Sequence, residues 1–354
     1  MTDNTAQTDF PMYEARALVR DLMKPDPFIY WSDFLFHNMT GWVALLLALW
    51  APSWSIWQVG AYFIAVFAFY RAAIFVHELA HLERGTFRLF RLVWNITCGI
   101  PFMIPSFTYD GVHYEHHKPG IYGTSKDGEY LPFATQRPVM MVGYVLLSLL
   151  LPLLLVMRFL LLTPLSYFSP AIRKIVWERA SSLTINPAYL RARDTVRNDQ
   201  HWRLQEFATF LFAFIIIACV FLGFLPYQLL VLWYAIAVMI FIFNSLRTLA
   251  AHAYRHSDDH PLTLVEQYLD SINVPGNWLT ALWAPVGLRY HATHHLFMSM
   301  PYHNLGKAQR RLSQAFQDNS LIKQTSRDGL WSALSCIWQE AACSSSDKKT
   351  GRQE

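Results

Sequence analysis

The sequence predicts an all-α integral membrane protein of about four transmembrane helices, with further interfacial or re-entrant helices and a histidine-lined metal site facing the cytosol. Three observations carry that prediction. The 354 residues are 53% hydrophobic and 16% aromatic but only 15% charged, where a soluble domain carries about 25%. Several apolar runs approach the roughly 20 residues that a helix needs to span hydrocarbon. Eight of the fourteen histidines fall in three short clusters, HELAH, HYEHH and HATHH, each beside such a run.

Residues 1–33 form a polar and aromatic arm with Arg16, Arg20 and Lys24 on an amphipathic helix. It has no apolar leader ahead of a cleavage site, so the first membrane helix is expected to direct targeting. The embedded domain covers 34–306, and 307–354 reads as a cytosolic tail. In the tail AQRRLSQAFQ and WSALSCIWQEA are short helices, and SSSDKKTGRQE is expected to be disordered. No Gly/Ser/Pro-rich linker divides the embedded part.

The first two spans are expected at 34–51 and 56–76, joined by PSWSIWQVG, whose tryptophans suit a membrane interface. Arg71, His77, Glu78, His81, Glu83, Arg84, Arg88 and Arg91 mark the cytoplasmic end of the second. Residues 92–108 are apolar but broken by Pro101 and Pro105, which suits an interfacial or re-entrant piece. The run 139–168 is interrupted by Pro152, Arg158 and Pro164. A basic segment, 171–203, follows, and two further spans are expected at 207–225 and 227–246. If the clusters share one metal site, an even number of crossings must separate the second from the third. The last two spans supply that number, so 139–168 is expected to dip and return or to lie along the interface. With that topology the Lys and Arg residues stay on the cytoplasmic side, together with both termini. The four cysteines form no C-x-x-C pair, so neither a disulfide framework nor a thiolate site is suggested.

In HELAH, His77 and His81 stand at i and i+4, on one helix face, and converge on one ion. In H-x-x-H-H, carried twice as His113, His116, His117 and as His291, His294, His295, the outer pair face together. The remaining ring points about 100° away. Such clusters reach two neighbouring ions, or one ion and the groups behind it. Imidazole suits iron, copper, zinc or nickel, and eight ligands exceed the needs of one four-coordinate ion. Two metals are therefore expected. His37 and His201, alone near helix ends, read as interfacial or capping residues. His256 and His260 in HSDDH imitate metal spacing, but Asp258, Asp259 and Pro261 make a solvated turn.

HELAH, then HYEHH, then HATHHLFMSMPYHNL resembles the three histidine boxes of the membrane fatty acid desaturase and hydroxylase superfamily. The phrase HHLF-x-x-x-P-x-H-N-L is similar to acyl-lipid desaturases, and the resemblance covers about 34–310. It implies a centre of two iron ions that uses O₂ to attack an unactivated C–H bond. His77, His81, His113, His116, His117, His291, His294 and His295 would be the ligands. Some relatives add a histidine after the last membrane helix, with an asparagine four residues before it. His252 occupies the first place here, whereas Thr248 stands where the asparagine would be; Asn244 is two turns back. Glu78, Glu115 and Asp110 would orient imidazoles from behind the metal, and Glu78 is assigned to the catalytic site. His303 would stand behind the metal or open a helix.

The acyl-type third box implies a fatty acid desaturase, with lipid hydroxylase or ketolase as the alternative. No haem motif of a fused cytochrome b5 and no ferredoxin cysteine set is present. A separate electron donor of ferredoxin, rubredoxin or cytochrome b5 type is therefore expected, with a lipid acyl substrate and no nucleic acid. The basic residues Arg88, Arg91, Lys118, Lys126 and those of 171–203 would hold an anionic head group or an acidic carrier, or simply keep loops inside. HELAH alone also matches the zinc-protease signature H-E-x-x-H, with Glu78 as general base and Asp270 as a third ligand. That reading strands both H-x-x-H-H clusters. A metal transporter would place its site near the bilayer midplane, whereas these histidines gather at one boundary.

Overall fold

The computed structural model describes residues 10–82, 85–192, 199–317 and 319–350. Glu83, Arg84, Arg193 and Arg197, part of the expected cytoplasmic charge, lie outside the described residues. The chain folds as two compact units. An apolar unit comprises 27–114 and 143–245, and a polar unit comprises 1–26, 115–142 and 246–354. The polar unit thus takes in the start of the arm and the whole tail.

The apolar unit opens with helices α2 (Pro27–Trp50) and α3 (Ile56–His81). Pro27 suits the first turn of a helix, where its missing N–H costs nothing, and Ser55 caps α3 by accepting from Gln58 N. The two helices approach closely because small residues line the contact. Gly41, Ala44 and Ala48 on α2, and Ala61, Ala65 and Ala68 on α3, are buried. A methyl group at Gly41 would stand 2.7 Å from the Phe69 ring. Arg71 clasps Asp33 in a two-pronged pair at 2.7 and 2.5 Å. Next, α4 (Arg88–Trp94) runs into a wide turn at Asn95–Gly99, and the Trp94 indole donates to Ala72 O at 2.8 Å. The prolines keep this stretch in short pieces, as expected.

Helix α5 (Val112–His116) carries the second histidine cluster, and α6 (Val139–Leu147) follows the polar loop. Residues 139–168 differ from expectation. After a break at 148–150, α7 (Leu151–Met157), a wide turn (Arg158–Leu162) and α8 (Thr163–Phe168) form one continuous 18-residue helix long and apolar enough to cross a membrane. Pro152 sits in its first turn, where it is harmless. The wide turn precedes Pro164, a common way for a helix to accommodate a proline. Helices α9 (Pro170–Arg179), α10 (Asp199–Phe221) and α11 (Gln228–Leu249) complete the set.

Among the described residues four helices are long and apolar enough to cross a membrane, as many as expected, but their membership changes. They are Ile56–His81, Leu151–Phe168, His201–Phe221 and Gln228–Leu249. Helix α2 has the length, but Asp33, His37 and Asn38 dilute its apolar character.

In the polar unit, α1 (Met12–Val19) packs on later helices through Phe10, Val19 and Leu22, which share a core with Tyr268, Leu296, Leu305 and Leu312. Helix α12 (Leu264–Asp270) starts in a reciprocal cap between Thr263 and Glu266. It is followed by α13 (Thr280–Trp283), α14 (His291–Leu296), α15 (Tyr302–Ala315) and α16 (Ser320–Gln324). Residues 344–350 depart from the expected disorder, since α17 runs Leu330–Thr350; 351–354 lie outside the described residues. Ala333, Ile337 and Ala341, four residues apart, are buried on one face. That docked stripe fixes the first turns, and later turns add at little nucleation cost.

Replacing Gly41 by valine should destabilise the protein by about 1–3 kcal/mol, because the packed Phe69 ring leaves no room for a larger residue. Gly60, with open space around it, should accept alanine without loss. Unfolding of both variants in the same detergent checks the contrast.

Candidate metal centre

Each unit buries its own group of imidazoles. In the apolar unit, His77 and His81 leave the last turns of α3 on one face, and His113 comes from α5. Ring centres lie 5.0 Å apart for His77 and His81, 4.3 Å for His77 and His113, and 4.6 Å for His81 and His113. Each ring offers a nitrogen within 4.8 Å of the others. Tyr109 stacks on His113, and its hydroxyl stands 3.1 Å from Nδ1. Glu78 is buried, accepts a hydrogen bond from the Tyr30 hydroxyl, and brings Oε1 to 3.6 Å from His77 Nδ1.

In the polar unit, His116, His252, His291 and His295 are all buried and offer nitrogens within 4.8 Å of one another. His252 and His291 face each other through Nε2 at 2.9 Å, and His291 meets His295 Nε2 at 3.2 Å. Beside them His117 and His294 pair through Nε2 at 3.1 Å. Helix α14 explains the third cluster: His291 and His295 are four apart and converge, while His294 is turned toward His117.

The groups behind these rings fix which nitrogen carries the proton. His116 Nδ1 lies 2.8 Å from the fully buried Asp127 carboxylate, so Nδ1 is the donor and Nε2 keeps its lone pair. Asp127 also accepts from the Gly123 and Glu129 amides, at 2.9 and 2.8 Å. Gly123 adopts φ +74°, and a side chain there would strike the His256 ring. Around His252, the Tyr122 hydroxyl donates to Asp270 at 2.9 Å, and the Ser271 hydroxyl donates to Gln267 O at 2.7 Å. Both oxygens are left as acceptors, at 2.9 and 3.2 Å from His252 Nδ1. His252 therefore carries its proton on Nδ1 and presents a bare Nε2. Tyr130 donates to the same Asp270 oxygen at 2.7 Å.

The electrostatics agree with the hydrogen bonds. Burial holds His252 and His291 well below the ordinary imidazole range, and neighbouring rings add to the effect. Burial also opposes charge on His116, but Asp127 outweighs it and raises the pKa. A carboxylate behind an imidazole strengthens its bond to a metal in the same way. Unprotonated nitrogens facing one another at hydrogen-bond distance in a buried pocket repel unless a cation or a shared proton lies among them. The donor set suits a metal ion of the imidazole-loving group.

Six of the eight box histidines and His252 lie within these two groups, and His117 and His294 pair beside them. Thr248 is buried, and its carbonyl accepts from the Tyr254 hydroxyl at 2.9 Å. His303 accepts from the Asp26 amide through Nε2 at 3.2 Å and belongs to neither group. His256 and His260 also lie outside both, and Asp258 meets each of them, consistent with a turn. Asp270, which a protease reading would make a zinc ligand, instead receives Tyr122, Tyr130 and the Arg255 amide. The residues missed from sequence are Asp127 and Tyr122, along with the role of Asp270 as acceptor for Tyr122. The cue for Asp127 was the glycine-punctuated loop GIYGTSKDGEYLP, whose turns fold a carboxylate back onto the preceding helix.

This architecture defines a class: a helical membrane protein with polyhistidine groups that could hold metal. The comparisons narrow it. The model of the family described as "Fatty acid desaturase" matches residues 52–326, and the chain belongs to that family. A ceramide hydroxylase of Caulobacter vibrioides (strain NA1000 / CB15N) is 39% identical over 327 residues, 92% of each chain. No solved structure matches. The protein is thus an enzyme of the membrane desaturase and hydroxylase superfamily.

Exchanging Asp127 for asparagine keeps the volume but removes the charge behind His116. Metal affinity should fall about 10–100-fold, the usual effect of losing such a partner. Competition against a chelator of known affinity measures the change.

Proposed function

We propose that the protein is an O₂- and iron-dependent hydroxylase acting on a ceramide-type lipid. The similarity to a ceramide hydroxylase over 92% of both chains carries this reading. It favours oxygen insertion over the double-bond formation that the third histidine box implies.

Iron would be held by His77, His81 and His113 in the apolar unit and by His116, His117, His252, His291, His294 and His295 in the polar unit. When bound, it supplies the redox chemistry that splits O₂ and attacks a C–H bond. Overall, one oxygen atom enters the C–H bond as a hydroxyl. The other leaves as water, which consumes two electrons and two protons. A separate ferredoxin, rubredoxin or cytochrome b5 type protein would deliver the electrons.

The chain's own residues set the conditions. Asp127 holds the proton at His116 Nδ1, and Tyr122 with Ser271 holds the one at His252 Nδ1, so the inward nitrogens stay bare. Glu78, bonded to Tyr30, stands behind His77 and serves as an orienting carboxylate at the catalytic site. Burial of the imidazoles excludes bulk water, and the apolar helices offer a lipid-facing route for an acyl chain. A cytosolic site with both termini on that side, in line with the lysine and arginine bias, requires α2 to cross the membrane and α6 to α8 to return on the side they enter.

Desaturation is the second reading, favoured by the phrase HHLFMSMPYHNL. Expression in cells that make ceramide, followed by lipid mass spectrometry, distinguishes the two. Hydroxylation adds one oxygen to a ceramide species; desaturation removes two hydrogens. The hydroxylated product should appear with the wild type and disappear with His116→Ala. A product that only loses hydrogen would overturn the proposal.

A further inference from the structure

Far along the chain from the histidines, two arginines share one buried carboxylate. Arg158 Nη2 donates to Glu206 Oε1 at 2.5 Å, and Arg173 Nη1 donates to Glu206 Oε2 at 2.7 Å. Guanidinium groups stay protonated even when buried. Two of them against one carboxylate leave one uncompensated positive charge.

The other donors of Arg158 are occupied. Nε reaches Ala180 O, and Nη1 reaches Thr163 Oγ1 at 2.7 Å. Arg173 differs: Nη1 also touches Ser166 Oγ at 3.2 Å, but Nη2 is buried and meets no acceptor. Its guanidinium lies 4.1 Å over the Trp202 ring, and Trp202 packs edge-on against Trp177 with ring centres 4.8 Å apart. The indole N–H groups of both tryptophans are buried and likewise meet no acceptor, and Trp202 is only 1% exposed. Buried donors are normally satisfied, and each exception calls for a reason. Here three neighbouring side chains hold one each, beside a net positive charge. An oxyanion answers both needs, and charge-assisted bonds from a guanidinium are the strong kind.

The position identifies the source of that oxyanion. Helix α8 closes the apolar run 151–168 and α10 opens the run 201–221, so the cluster stands where two apolar helices end together. Leu165, Phe168, Ile175 and Phe207 are exposed around it. Side chains of that kind face hydrocarbon, and basic pockets between membrane helices at this depth hold lipid head groups. We propose that Arg173, Trp177 and Trp202 bind the phosphate of an anionic membrane phospholipid, with the Arg158–Glu206 pair holding Arg173 in place. This inference does not rest on the ceramide hydroxylase reading.

Native mass spectrometry of the full-length protein in detergent, titrated with phosphatidylglycerol, tests it. The wild type should retain the lipid. Arg173→Gln should weaken retention about tenfold or more, the loss expected for a charge-assisted bond. Trp202→Phe keeps an aromatic ring beneath Arg173 but removes the N–H with the fused five-membered ring, so retention should fall about threefold. Thermal unfolding of both variants in the same detergent separates a lost phosphate contact from a folding defect. Inorganic phosphate, added to the wild-type complex, should displace the lipid, since the phosphate group is what the donors recognise. Equal retention of phosphatidylglycerol by the wild type and Trp202→Phe would overturn the proposal. So would retention of uncharged diacylglycerol as strong as that of phosphatidylglycerol.

Discussion

The structure depends on keeping bare imidazole nitrogens together inside a buried pocket. His252 and His291 approach through Nε2 at 2.9 Å, and burial disfavours the charged form of both rings. That arrangement is costly without a cation. The surrounding residues maintain it: Asp127 behind His116, Tyr122 and Ser271 behind His252, and Asp270 behind Tyr122. Each outer group takes or fixes a proton so that an inner nitrogen is left with a lone pair. The helices serve the same end. Helix α3 is rigid and closely packed where it delivers His77 and His81, and α14 is short because it needs only one turn to aim His291 and His295 together.

Much of this was legible in the sequence, and the reason is local geometry. The spacings H-x-x-x-H and H-x-x-H-H fix which rings share a helix face, so the histidines declared themselves before any fold was known. His252 was also recoverable, but only through the resemblance to relatives that carry a histidine after the last membrane helix. What was not legible depends on distant or loop contacts. Asp127 lies eleven residues from His116, across two glycine turns, whereas Asp110 and Glu115 looked nearer. Tyr122, Asp270 and His252 are brought together from three separate stretches, and no spacing rule links them. In the membrane part, Pro152 and Pro164 suggested interruption of 139–168, but one occupies a first turn and the other follows a wide turn. In the tail, SSSDKK has a disordered composition, yet it continues a helix already nucleated by Ala333, Ile337 and Ala341.

The choice between hydroxylation and desaturation lies on a different level. Imidazole ligands, their orienting partners and the apolar helices serve either outcome, because the two reactions share oxygen activation and hydrogen abstraction. They part only in the fate of the substrate carbon, which depends on how a lipid chain lies against the metal. Ligand identity says little about that. Relatedness to a ceramide hydroxylase extends over nearly the whole chain, whereas the desaturase-like phrase is confined to the third box.

X-ray absorption at the iron edge of the purified, iron-loaded protein tests the central claim most directly. The account predicts a first shell rich in nitrogen with the outer-shell scattering of imidazole, diminished in amplitude by His252→Ala. A shell dominated by sulfur, or an imidazole signature unchanged by that substitution, would contradict it.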